Sequence, residues 1–61
     1  MFGYIRLDDA EADMAAAVAN GYAAKMRQAE ERDAFYECVI YQWYWVDTDA
    51  PDSVMVNHDA Q

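Results

Sequence analysis

The sequence predicts an α+β domain of two layers, one long helix packed on a three-stranded sheet in the chain order β-α-β-β. Three observations lead there. The stretch Phe35 to Val46 has no Gly or Pro and is dominated by aromatic and β-branched residues, so it reads as one long strand. Residues Asp9 to Ala34 are mostly good helix formers, with Met14, Val18, Tyr22, Met26 and Ala29 spaced as one helical stripe. Short strand-forming segments stand at Phe2–Leu7 and Ser53–Val56.

The first segment alternates loosely, with Ile5 and Leu7 expected inward. Asp8 is placed to cap the helix, and Glu11, three residues on, completes a capping-box pattern. Asn20-Gly21 is the weak point of the helix. The stripe keeps phase from Val18 to Tyr22, so a single helix through this point is expected. It would be ~39 Å long at about 1.5 Å per residue. Alanines at 15, 16, 17, 23 and 24 keep its face thin, so a sheet can approach closely.

The long strand is apolar on both faces, and one helix covers only one. An alanine-rich helix accepts large partners, so Val39, Tyr41, Trp43 and Trp45 are expected inward. Tyr36, Ile40 and Tyr44 would then face outward as an aromatic docking surface. If the helix covers the other face, Trp43 and Trp45 become the exposed pair. After the strand, Asp47 to Asp52 reads as a turn, Ser53–Val56 as a returning strand and Asn57–Gln61 as a frayed end. Direct parallel pairing of the first strand with the long one is the favoured strand order.

Sixty-one residues make a single domain, 1–61. Folding hides roughly 6,000 Å² for a chain of this mass. The apolar part yields on the order of 90 kcal/mol, and ordering the chain costs about the same. Further burial in a complex therefore carries weight.

The single cysteine, Cys38, forms no internal disulfide, which fits a reducing compartment. No apolar run approaches ~20 residues, and the N-terminus lacks a signal-peptide layout, so a cytoplasmic protein is expected. Twelve acids against four bases give a net charge of -8. Like charge argues against direct nucleic-acid or membrane partners and favours a basic protein.

Cys38 and His58 are too few for a structural zinc site, and Cys38 in an apolar strand is a poor nucleophile. Asp47, Asp49 and Asp52 resemble the start of a calcium loop. Asp52 and His58 stand where that loop needs Gly and Glu. The expectation is a non-enzymatic protein with no cofactor and no metal.

The acids are distributed tellingly. Glu30, Glu31 and Asp33 would lie at the negative end of the helix dipole, against its preference, and Asp47, Asp49 and Asp52 form a second cluster. These six are the expected acidic partner-binding surface. In size, charge and lone-domain character the chain resembles the small acidic inhibitors encoded by phages, including anti-CRISPR proteins and other DNA mimics. The stretches that carry the resemblance are Asp8–Asp13, Glu30–Asp33 and Asp47–Asp52. It implies binding to the basic nucleic-acid channel of a host defence or DNA-processing protein, in the host cytoplasm. The alternative is an assembly module that docks or dimerises through its aromatic sheet face.

Overall fold

A central strand needs a neighbour on each edge, and this one takes both from the sequence that precedes it. The computed structural model describes residues 1–32 and 40–60. It has β1 (Phe2–Tyr4), α1 (Leu7–Ala19), β2 (Ala24–Arg32) and β3 (Ile40–Thr48). The sheet order is β1-β3-β2, with both pairings antiparallel. The fold is α+β in the order β-α-β-β, as expected. β1 and β2 run parallel to each other, with β3 inserted between them.

The helix is half the expected length. It ends in a tight cap at Asn20-Gly21. The Gly21 N–H donates to Val18 O (3.0 Å) and the Tyr22 N–H to Ala17 O (2.9 Å), while Gly21 takes φ 88°. This left-handed cap is easy for Gly and strained for other residues. The Asn20 side chain reinforces it by donating to Ala16 O at 2.8 Å. Tyr22 leaves the helix yet still packs on the core, which is why the stripe seemed to run on through it.

The N-terminal end also differs from expectation. Arg6 occupies the cap position without a side-chain bond, so the Asp8–Glu11 capping box is not used. Asp8 and Asp9 sit instead in the first turn, where their charge suits the positive end of the helix. The inward stripe is Ala10, Asp13 and Ala17, with Met14 beside it. Val18 is 59% exposed.

Residues 24–32 are good helix formers on paper but pair along their whole length with β3, from Ala24↔Thr48 to Arg32↔Ile40. Their period-2 pattern fits. Ala24 and Met26 pack toward the core, while Lys25 and Arg27 are exposed. Glu30 and Glu31 therefore lie on a strand and not at a helix end, and the dipole argument for them falls away.

β1 is shorter than expected. Phe2 and Tyr4 point inward, whereas Ile5 is 60% exposed. β1 pairs directly with β3, as favoured, but antiparallel, because β2 intervenes in the chain. No strand forms at Ser53–Val56. The Val54 and Met55 N–H groups turn back to Pro51 O, Met55 becomes a fully buried core residue and Val56 is left exposed. The end expected to fray is instead tied down. Ala60 bridges to Gly3, and the Asp59 carboxylate accepts from the Ile5 N–H at 2.9 Å.

Candidate docking surfaces

Side chains alternate across a strand, so the position of α1 decides which half of β3 is free. Val46 is fully buried and Tyr44 packs against the same core, formed by Phe2, Tyr4, Ala10, Ala17, Ala50 and Met55. Tyr44 is thus on the helix side, contrary to the expectation that it faces outward. Trp43 and Trp45, expected inward, lie on the opposite face. Their rings stack with centroids 5.5 Å apart and planes 24° from parallel.

Small residues make room for the indoles. Ala29 stands opposite Trp43, and Gly3 opposite Trp45. A Cβ placed on Gly3 would meet the Trp45 ring at 2.7 Å, so the indole lies directly over the glycine. Arg27 is the other neighbour of Trp45. Its guanidinium reaches the Asp47 carboxylate at 3.7 Å and the Met1 sulfur at 2.7 Å. Both ends of the Arg27–Asp47 pair are half exposed, so it contributes little to stability.

The charges divide between the faces. On the helix side lie Asp8, Asp9 and Glu11 of α1 together with Glu30, which follows Ala24, Met26 and Gln28 on that side of β2. Glu30 is exposed. Arg6, 3.9 Å from Asp8, is the base at the start of the helix. The helix-free face carries Lys25 and Arg27, two of the chain's four bases, together with Asp47.

The described acids of the expected surface are therefore not all gathered. Glu30 and Asp47 lie on opposite faces, five rungs apart along β2. Asp49 is exposed, lining an open hollow with Met1, Lys25 and Thr48, and Asp52 is exposed in the turn after Pro51. Glu31 pairs with Tyr41 and Ile40 with Arg32 in the ladder. Asp33 and Tyr36 lie outside the described residues, as do Val39 and Cys38.

One buried polar node was missed in the sequence. Asp13, 1% exposed, accepts from the Tyr4 hydroxyl at 2.6 Å, from the Asn57 backbone N–H at 3.0 Å and from the Asn57 amide at 2.9 Å. Burial, with the Asp13 hydrogen bond and charge adding to it, pushes the Tyr4 phenol far above its ordinary range. The node joins β1, α1 and the C-terminal segment, and its burial gives a substrate no access. The signal was available, since Asp13 is three residues from Ala10 and four from Ala17, on one helix face.

The His58 ring meets Phe2 in a tilted contact, with centroids 5.2 Å apart and planes at 55°. Among the described residues no group of three or more potential ligands is placed to hold a metal ion. No described helix is long and apolar enough to cross a membrane. Comparison with known families, curated proteins and solved structures gives no match.

Proposed function

We propose that this protein is a non-enzymatic acidic inhibitor that docks on the basic surface of a nucleic-acid-binding protein, in the manner of a DNA mimic. The observation that carries this reading is the division of charge. The helix side bears Asp8, Asp9, Glu11 and Glu30, while Lys25 and Arg27, with Asp47 beside them, sit on the other face. A carboxylate-rich face on a chain of net charge -8 attracts a Lys/Arg-lined groove and repels phosphate. The binding surface on this reading is the helix side, and of the expected acids Glu30 belongs to it. A host-cytoplasmic location follows from the same proposal.

The test is displacement of a duplex oligonucleotide from purified basic nucleic-acid-binding proteins. The expected result is competitive displacement that weakens steeply with salt. It should fall about tenfold in the triple variant Asp8→Asn/Glu11→Gln/Glu30→Gln, because several exposed charge pairs at ~0.2–1 kcal/mol each are lost. Displacement insensitive to both salt and the triple variant would overturn electrostatic mimicry.

A second reading is supported by Trp43 and Trp45, which stack on the face that α1 does not cover. On this reading the sheet face docks on a partner subunit, since Trp is enriched at the energetic centres of interfaces. Trp43→Ala would then abolish binding while the acidic triple variant spares it.

A further inference from the structure

The two outer edges of the sheet are treated differently. The β1 edge is closed. The Asp59 N–H donates to Gly3 O at 2.7 Å, and the Gly3 N–H donates back to Ala60 O. The β2 edge runs for nine residues, Ala24–Arg32, and among the described residues no segment pairs with its outer side. A long unpaired edge is a template for another strand.

Chains commonly protect such an edge with scattered charge. Here Lys25 and Arg27 precede the middle of β2, Glu30 and Glu31 follow it, and Arg32 ends it. Reversing the strand sets the two bases against the two acids and leaves Arg32 opposite the uncharged Ala24. We infer that β2 pairs antiparallel with β2 of a second copy of this chain, about a two-fold axis at Gln28, to form a continuous six-stranded sheet.

In this register Lys25 stands opposite Glu31 of the copy, and symmetry repeats the pair. Arg27 stands opposite Ala29 and diagonal to Glu31. Met26 meets Glu30, Ala24 meets Arg32 and Gln28 meets itself, so no like charges are opposed. The parity is also right. Odd positions pair with odd ones, which keeps the helix side of one copy continuous with that of the other. Two acidic helices then share one face and four tryptophans the other. Repulsion between two chains of charge -8 is long-ranged and screened over about 8 Å at physiological salt, whereas the edge pairs are in contact. This inference goes beyond the inhibitor reading and is measured without any partner.

The experiment is sedimentation equilibrium on the full chain, with circular dichroism to establish that each variant is folded. The wild type is expected to be a dimer. Lys25→Glu and Glu31→Lys should each raise the dissociation constant about tenfold or more, because each turns two attractive cross-strand pairs into repulsive ones. The double swap Lys25→Glu/Glu31→Lys re-forms both opposed pairs and should recover most of the loss, short of the wild type because Arg27 then has a like charge on its diagonal. A wild type that stays monomeric at high micromolar concentration would overturn the inference. So would a dimer indifferent to either single swap, or one that the double swap fails to rescue.

Discussion

Along β3, Tyr44 and Val46 lie under the helix, while Trp43 and Trp45, one residue out of step, lie on the side that α1 leaves bare. Both sets are apolar. What separates them is the shape of the layer each one meets. On the helix side the core is built by Phe2, Tyr4, Ala10, Ala17 and Met55 around a buried carboxylate, Asp13. On the other side the neighbours are a glycine, an alanine and the arm of Arg27, so two flat rings cover the strands themselves. Apolar content alone therefore does not choose the core face. The choice follows from where the helix lands, and that is set by the length of the segment leading into it and by the cap that ends it.

The strongest way to break the contrast is to remove its polar anchor. Asp13→Ala leaves the Tyr4 hydroxyl and two Asn57 donors buried or half-buried without their acceptor. Each unsatisfied group costs ~1–3 kcal/mol, so a loss of about 3 kcal/mol or more is expected. For a domain this small that lowers the melting temperature by more than about 12 °C. Thermal denaturation followed by circular dichroism measures it. A drop of only a few degrees would mean that the node is solvated and the helix side less closed than described.

The contrast sharpens when one residue from each face of β3 is truncated. Val46→Ala removes two methyl-sized groups from a fully buried site and should cost about 2 kcal/mol. Trp43→Ala removes a far larger side chain, but from a half-buried position outside the core cluster. It should cost less than Val46→Ala, on the order of 1 kcal/mol, most of it lost stacking on Trp45. The same urea titration on both variants decides the order. A larger loss at Trp43 would show that a second apolar layer covers the tryptophans and would withdraw them as a docking surface.

Much of this arrangement was legible in the sequence. The dense aromatic stretch does hold the central strand, and one helix precedes it. The rest was obscured by signals that coincide locally. Tyr22 continues the spacing of Met14 and Val18 although the helix has ended and Val18 is exposed, because the capped chain returns Tyr22 to the core that Met14 also touches. Ala24–Arg32 is rich in helix formers, and only long-range pairing with β3 overrides that preference. Val54, Met55 and Val56 look like a strand, yet Pro51 starts a turn that sends Met55 inward alone. The dipole argument for Glu30 and Glu31 falls for the same reason as the long helix, since both residues lie on a strand and not at a helix end. The side of β3 left bare depended on where α1 lies, and no local pattern states that.

The smallest expected effect concerns pH, and its sign is opposite to ordinary acid denaturation. The Tyr4 phenol is held protonated by burial and by the carboxylate it donates to, so its folded pKa is raised above the unfolded value of about 10. A group of this kind contributes its full stability below the unfolded pKa and loses it as pH rises beyond that point. Between neutral pH and about 10 the contribution of Tyr4 is flat. Above that, unfolding releases one proton that the native state retains, and stability falls. Tyr4→Phe should cost about 1–2 kcal/mol at neutral pH, for the hydrogen bond to Asp13. It should also reduce the alkaline slope by one proton relative to the wild type. The other four tyrosines remain in both proteins and cancel from the comparison. Urea midpoints measured at pH 8 and pH 11 for the two proteins give the difference. Equal losses on going to high pH would mean that Tyr4 ionises in place, and that its bond to Asp13 does not hold the helix-covered face closed.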